Sequence, residues 1–204
     1  MRQKLIIASE NDHKVREIRS LLADVEIEVS QLGELDEMPE LTETGATFAE
    51  NALEKALICA RTAGELSLAD DSGLVVDALG GAPGVRSARY AGEGATQADL
   101  IAKLLKEMRD VPDGCRRARF VCALSLATPE GEVQRWEGRV EGVIGREPCG
   151  AEGFGYDPVF IYPPAGKTFA EMEPEEKNEV SHRGRALEQF RRDLPAIVAR
   201  LEAQ

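Results

Sequence analysis

Two adjacent carboxylates, Asp70 and Asp71, lie at the end of the strand-like segment 66–70 and precede a Ser-Gly pair. Paired acids at the end of a strand commonly hold a divalent cation and a water molecule. Asp, Ser and Gly also favour turns for reasons of their own, so an ordinary turn explains this pair as well when it is taken alone. The sequence therefore predicts a candidate metal site that other residues have to support.

Cationic and polar side chains elsewhere supply what a bound phosphate needs. Ser9, Asn11 and Lys14 lie between a strand-like and a helix-like segment, where backbone N–H groups attract phosphate. A plain helix N-cap explains the same residues about as well. Lys55 lies beside the apolar stripe of a predicted helix, where a long cation either extends to solvent, which is the commoner case, or points at an anion.

Two further segments could recognise a flat ring. Residues 153–158 read Gly-Phe-Gly-Tyr-Asp-Pro, and the glycines allow an aromatic ring to approach a ligand closely, although a tight turn has a similar pattern. His182 and Arg183 follow Ser181 at the start of a predicted helix, where they could donate to a base oxygen or simply form the first helical turn. Acids for a cation, lysines for phosphate and an aromatic-plus-arginine patch together predict a nucleoside triphosphate as ligand.

Composition narrows the class of protein. A chain of 204 residues can bury a core of its own and predicts one domain, 1–204, possessing two lobes. A formal charge of -12 argues against nucleic-acid or anionic-membrane binding, because such surfaces need a basic patch. The sequence has no apolar stretch of about 20 residues, so we expect a soluble, cytoplasmic protein. Irregular cysteine spacing favours structural thiols over a zinc site.

Apolar periodicity predicts strands and helices in a mixed order. Helices are expected to begin at Asn11, at a Thr47–Glu50 capping box, at Thr96 and after Ser181, and Pro195 is expected to kink or split the last one near Arg191. The predicted strands are 4–8, 27–32, 66–70, 74–79, 117–128 and 133–144. The predicted strands 66–70 and 74–79 place the Asp pair at a turn between them.

Seven motifs in order resemble the inosine triphosphate pyrophosphatase family, enzymes that hydrolyse non-standard purine nucleoside triphosphates. They span nearly the whole chain: Ser9-x-Asn-x-x-Lys14, Glu43-Thr-Gly-x-Thr-Phe-x-Glu-Asn-Ala52, Ala69-Asp-Asp-Ser-Gly73, Leu79-Gly-Gly-Ala-Pro-Gly84, Gly153-Phe-Gly-Tyr-Asp-Pro158, Glu176-Lys-Asn178 and Ser181-His-Arg183. The resemblance implies an elongated α/β fold, a mixed sheet with flanking helices, and two lobes around a central substrate groove. It also implies a homodimer that uses Mg²⁺, with Mn²⁺ as a substitute.

The resemblance assigns roles residue by residue. It implies that ITP, dITP or XTP is cut between the α and β phosphates, giving a monophosphate and pyrophosphate. Glu43 and Asp71 resemble the metal ligands, and Asp71 also resembles the residue that activates water. The remaining positions that match substrate contacts are Ser9, Glu10, Asn11, Asp12, His13, Lys14, Lys55, Ser72, Phe154, Gly155, Tyr156, Asp157, Lys177, His182 and Arg183.

One residue departs from the family pattern. Position 10, usually glycine in this loop, is glutamate. We expect the Glu10 side chain to point to solvent while its backbone N–H still serves phosphate. Two other functions stay open: a nucleotide sensor that binds without hydrolysis, and a general metal-dependent phosphatase that releases orthophosphate.

Overall fold

The computed structural model describes residues 3–35 and 39–203, with Glu132 described by its backbone alone. Helices flank a mixed sheet, as the sequence predicts. The helices are α1 (Asp12–Leu21), α2 (Phe48–Ala63), α3 (Gln97–Glu107), α4 (Pro174–Val180) and α5 (His182–Glu202). The strands are β1 (Lys4–Ala8), β2 (Glu28–Gln31), β3 (Leu66–Val76), β4 (Arg117–Thr128), β5 (Gly131–Ile144), β6 (Phe160–Tyr162) and β7 (Lys167–Thr168).

Within the described residues, seven strands form one sheet in the order β2-β1-β3-β4-β5-β6-β7. β1 pairs in parallel with both β2 and β3, and Ala8 at its end lies opposite Ala69. β6 pairs antiparallel with β5 and with β7. Because β1 and β3 run the same way, the loop after Ala8 and the Asp pair after Ala69 lie at the same edge of these two strands.

The Asp pair lies inside a strand and not in a turn, so the predicted break between two strands at 70–74 is wrong. β3 continues without interruption from Leu66 through Ser72 and Gly73 to Val76. Both aspartates are buried, and their cationic partners remove the need for a solvent-exposed turn. Since successive side chains of a strand point to opposite faces, the two carboxylates have different surroundings.

The chain divides into two compact units. Unit 1 contains residues 1–71, 122–138 and 183–204. Its core includes α1, β1 and the apolar face of α5, with Ile18, Leu68 and Phe190 buried. Trp136 packs edge-on against Phe190 at 5.1 Å between ring centroids, and its indole N–H donates to Asp193 at 2.8 Å.

Unit 2 contains residues 72–121 and 139–182. Its core is aromatic, with the Phe120 ring centroid 4.6 Å from that of Phe160 and 5.9 Å from that of Phe169. Arg116 is also buried there, and its guanidinium donates to the carbonyls of Met108, Ile144 and Gly145. These hydrogen bonds satisfy a cation that burial would otherwise destabilise.

Several local predictions are confirmed. Asn11 caps α1, and capping boxes at Thr47–Glu50 and Thr96–Asp99 open α2 and α3. Pro195 lies inside α5, which continues to Glu202, so the predicted split near Arg191 is wrong. Among the described residues, none of the helices combines the length and apolar character that crossing a bilayer requires.

Candidate active site

Lys55 lies between two carboxylates in unit 1. Its Nζ is 2.7 Å from Glu43 Oε1 and 3.2 Å from Asp71 Oδ1, and it donates to the backbone carbonyl of Asp70 at 2.9 Å. The Lys55 side chain is buried, so of the two outcomes left open by the sequence it points at carboxylates and does not extend to solvent. Two acids from distant parts of the sequence therefore share one positive charge.

The loop that carries Glu43 is tied to helix α2 on both sides of that residue. Glu54 accepts hydrogen bonds from the hydroxyl of Thr42 at 2.6 Å and from the backbone N–H of Thr44 at 3.0 Å. These bonds lower the pKa of Glu54, the one from Thr42 most. Asn51 Oδ1 accepts from the N–H of Gly45 at 2.8 Å. Helix α2 thus fixes the backbone on which Glu43 projects toward Lys55.

The donor set at Glu43 and Asp71 fits a magnesium ion. The described residues contain no cluster of three or more Asp, Glu, His or Cys side chains placed as a ready-made metal cage. Mg²⁺ does not need one, because proteins usually bind it through one or two carboxylates together with water and substrate phosphates. The Lys55 ammonium already marks a position that both carboxylates reach, so the residues present suit a cation there.

Burial and neighbouring charge set the electrostatics of this pair. Burial raises the pKa of Asp71 and Glu43 adds to the rise, while Lys55, Lys14 and the Asn51 amide act against it. Burial opposes the charge on Lys55, but Asp71 and Glu43 outweigh it and raise the pKa of its ammonium group. The site thus has an excess of negative charge that a further cation would relieve.

Asp70 has different partners. Its Oδ1 is 2.7 Å from Lys14 Nζ, and its Oδ2 accepts from Arg183 Nε at 2.8 Å and from the thiol of Cys122 at 3.1 Å. Arg183 Nη1 also donates to Glu17. Burial by itself would raise the pKa of Asp70, but Arg183 and Lys14 hold it well below its usual range. Asp70 therefore joins the predicted phosphate lysine to the predicted base-reading arginine.

The loop before α1 is built as a helix cap. Asn11 Oδ1 accepts from the N–H groups of His13 and Lys14, and Ser9 Oγ accepts from the N–H of Asn11. The side chains of Glu10, Asp12 and His13 are exposed, which agrees with the expected outward direction of Glu10. The phosphate-binding role of this loop stays a prediction.

A second group of predicted residues lies in unit 2. Asp157 Oδ2 is 2.7 Å from Lys177 Nζ and accepts from the N–H of Phe154 at 2.8 Å, which closes the turn 154–157. Lys177 Nζ also lies 5.0 Å from the centroid of the Phe154 ring. Gly153 has φ +74°, and a Cβ there would lie 2.2 Å from Asp157 Oδ2, so the turn requires glycine.

Other predicted contacts in unit 2 have structural partners. Tyr156 is buried, and its hydroxyl donates to the carbonyl of Ser87 at 2.9 Å. The His182 ring stacks on Phe120 at 4.8 Å between centroids. Gly155 and Ser72 are half-buried. In this unit, the structure brings Phe154, Asp157 and Lys177 together, and the ligand contacts expected of them stay predictions.

Comparison with known proteins decides the family. The sequence model of the Ham1 family matches residues 5–193. The chain belongs to the Ham1 family. A relative from Syntrophobacter fumaroxidans named "dITP/XTP pyrophosphatase" is 52% identical over 200 residues, which cover 98% of this chain and 85% of that protein.

Solved Ham1 proteins have the same fold. The structure of a HAM1 protein from Coxiella burnetii matches with a TM-score of 0.87 and 44% identity, covering 95% of this chain and 99% of that one. The Ham1 protein of Staphylococcus aureus matches with a TM-score of 0.85 and 38% identity, covering 95% and 99%. The α/β fold inferred from sequence motifs is therefore confirmed.

Several side chains around the candidate site of this Ham1-family chain are not indicated by the motifs. Asn51 stands one helical turn before Lys55, and this i, i+4 spacing could have placed both side chains on the Asp71 side of α2. Glu54 had no such signal, because its partners Thr42 and Thr44 lie in an irregular loop. Glu17 and Cys122 contact the Asp70 group from α1 and β4, and apolar periodicity does not predict contacts of that kind.

Proposed function

We propose that this protein hydrolyses non-standard purine nucleoside triphosphates such as ITP, dITP and XTP to the monophosphate and pyrophosphate. The observation that carries the proposal is the convergence of Glu43 and Asp71 on one cation, Lys55, with Lys14 bound to the neighbouring Asp70. Phosphoryl transfer is catalysed mainly by positioning and electrostatic stabilisation, and this arrangement provides both. The similarity to relatives named dITP/XTP pyrophosphatase supports the choice of substrate.

Lysines of unit 1 are the proposed phosphate ligands. Lys14 and Lys55 both reach the carbonyl oxygen of Asp70, at 3.4 and 2.9 Å, so two positive charges lie close together. When a triphosphate binds, these ammonium groups would replace water molecules around its phosphate oxygens. In the protein alone the carboxylates of Asp70, Asp71 and Glu43 hold both ammonium groups in place.

Asp71 is the proposed group that orients the attacking water. Its Oδ2 is bound by Asn51 and its Oδ1 faces Lys55, so the carboxylate has a fixed direction. Glu43 and Asp71 would hold Mg²⁺, or Mn²⁺ in its place. When bound, the ion would supply positive charge for the phosphoryl group in the transition state. The protein contributes the position of both carboxylates.

The resemblance implies that Arg183, His182 and the turn 154–157 select the base. A donor from Arg183 suits the 6-oxo group of hypoxanthine or xanthine, whereas the 6-amino group of adenine offers another donor and leaves the site unpaired. Phe154 offers a ring face for stacking. Guanine also carries a 6-oxo group, so GTP belongs in every comparison of substrates.

A product assay tests the proposal. The protein is incubated with Mg²⁺ and, separately, with ITP, dITP, XTP, GTP and ATP, and pyrophosphate and orthophosphate are measured in parallel. We expect pyrophosphate from the first three, with ATP a poor substrate. Orthophosphate as the product would indicate a general phosphatase, and tight ITP binding without any product would indicate a sensor.

The resemblance further supports a homodimer in the cytoplasm as part of the same proposal. Light scattering coupled to size-exclusion chromatography measures the mass in solution directly. A mass near twice the 22.2 kDa of one chain agrees with the dimer, and a mass near that of one chain contradicts it.

A further inference from the structure

Asn51 carries a fully buried amide that connects Asp71 to the loop bearing Glu43, the other proposed metal ligand. Its side chain lies on α2, one turn before Lys55, and is completely shielded from solvent. Nδ2 donates to Asp71 Oδ2 at 3.0 Å, and Oδ1 accepts from the N–H of Gly45 at 2.8 Å. One side chain thus binds the catalytic candidate at one end and the Glu43 loop at the other.

Only one orientation of this amide satisfies both partners. The Asp71 carboxylate can only accept a hydrogen bond, and the Gly45 N–H can only donate one. Rotating the amide by half a turn would set its oxygen against the carboxylate and its NH₂ group against the N–H. Each buried mismatch costs free energy, so the partners fix the direction of the amide.

The close approach of the loop depends on glycine at position 45. A Cβ on Gly45 would lie 2.8 Å from Asn51 Oδ1 and 2.6 Å from Glu50 Cβ. Distances this short require the loop or the helix to move. The loop is therefore shaped so that its backbone, and not a side chain, meets the Asn51 amide.

The Asn51 amide also gives the two oxygens of the Asp71 carboxylate different partners. Oδ2 is held by Asn51, while Oδ1 accepts from Lys55, which also binds Glu43. A carboxylate free to rotate would present either oxygen. We propose that Asn51 is a positioning residue, which fixes the Oδ1 atom of Asp71 toward the cation position and sets its distance from the Glu43 loop.

This inference rests on the proposed function. Two substitutions of Asn51 test the hydrogen bonds at the two ends of its amide. Asn51→Ala removes both hydrogen bonds. Asn51→Asp keeps an acceptor for Gly45 but replaces the donor facing Asp71 with a second carboxylate. If Asn51 acts through Asp71, both variants lower kcat for ITP by roughly ten- to a hundredfold. KM for ITP should stay within about twofold, because no proposed substrate contact is altered.

Cys59→Ala is the control for a loss of stability alone. Cys59 lies on the same helix, is fully buried and packs in the core with Ile6 and Ala60. We expect this variant to unfold at lower urea concentration with kcat unchanged. An Asn51→Asp variant with normal kcat would overturn the proposal, and so would a kcat in Cys59→Ala that falls as far as in Asn51→Ala.

A measurement without substrate tests the contact independently of any activity. The free energy of unfolding is compared for wild type, Asn51→Ala, Asp71→Asn and the double variant. Direct contact predicts that the two single changes are not additive. Additive effects would overturn the proposal even in an active enzyme. Non-additive effects in a protein that does not hydrolyse ITP would instead contradict the proposed function and leave the Asn51–Asp71 contact standing.

Discussion

Asp70 and Asp71 are neighbours in one strand, yet their carboxylates bind different cations: Asp70 binds Lys14 and Arg183, whereas Asp71 binds Lys55. Alternation of side chains along β3 produces this separation. Asp70 has its charge balanced by the buried Arg183 and the partly buried Lys14, whereas Asp71 shares one cation with Glu43. We therefore expect substitutions of Asp70 to affect mainly stability and substitutions of Asp71 to affect mainly catalysis.

Asp71→Asn should nearly abolish hydrolysis of ITP while the protein still folds. The amide has almost the same volume, but it lacks the charge that would hold a divalent cation and orient water. Pyrophosphate release and urea denaturation are measured on the same preparation. Activity within a few-fold of wild type would exclude Asp71 as the catalytic group.

Asp70→Asn should act mainly on stability and change its dependence on pH. A carboxyl group whose pKa is depressed stabilises the fold above its ordinary pKa, here 3.8, and loses that contribution as the pH falls through the folded-state value. The variant leaves the buried Arg183 and the partly buried Lys14 facing a neutral amide, which costs about 3–5 kcal/mol near neutral pH. Urea denaturation at a series of pH values below and above 3.8 measures both effects.

Stability at acid pH distinguishes wild type from Asp70→Asn. Wild type should lose stability steeply below its ordinary aspartate pKa, and Asp70→Asn should show a shallower loss there. Equal slopes in the two proteins would mean that another carboxyl group controls acid unfolding.

Glu43→Gln should weaken the response to Mg²⁺ more than the maximal rate. The amide keeps an oxygen ligand but removes the negative charge, so more Mg²⁺ is needed for half-maximal activity. Glu188→Gln on the exposed side of α5 makes the same change of charge and should leave the Mg²⁺ response unaltered. A defect in Glu43→Gln that no Mg²⁺ concentration relieves would count against a ligand role.

Lys14→Ala should reduce the affinity for ITP more than the affinity for inosine, because the lost partner is a phosphate charge. Calorimetric titration of an Asp71→Asn background with both compounds, in the presence of Mg²⁺, avoids turnover. Lys103→Ala is the matched control, since Lys103 is partly exposed and binds the Tyr90 carbonyl in unit 2. An equal loss for ITP and inosine would assign Lys14 a structural role alone.

Arg183→Ala should lower kcat/KM for ITP by roughly ten- to a hundredfold and leave the poor ATP reaction nearly unchanged. It should also destabilise the protein, because Arg183 is buried and pairs with Asp70 and Glu17. Rates are therefore compared well below the unfolding temperature. Phe154→Ala should instead reduce kcat/KM for ITP and for ATP by similar factors. An unaltered ITP-to-ATP ratio in Arg183→Ala would show that this arginine serves only its two carboxylates.

Sequence motifs indicated candidate residues of the site but not the contacts that these residues make. The caps of α1, α2 and α3 were predictable because a cap depends on a few adjacent residues. The uninterrupted path of β3 through Ser72 and Gly73 was not, since it depends on cations from α1, α2 and α5 that allow two aspartates to be buried in a strand.

Buried polar contacts were the hardest part to predict. The buried Asn51 and the partly buried Glu54 act on the Glu43 loop through backbone N–H groups and hydroxyls, and such partners have no periodicity. The stacking of His182 on Phe120 joins residues 62 positions apart in a chain of 204. Motif spacing alone does not indicate which aromatic ring of the sheet meets this histidine.

The aromatic residues are divided between the units in a way that allows label-free spectroscopy. Trp136 is the one tryptophan of the sequence and belongs to unit 1, while the three tyrosines, Tyr90, Tyr156 and Tyr162, all belong to unit 2. Indole fluorescence therefore follows the burial of Trp136 in unit 1, and tyrosine absorbance follows unit 2. Coincident transitions from the two signals would indicate that the chain unfolds in a single step, and separate midpoints would identify the unit that unfolds first.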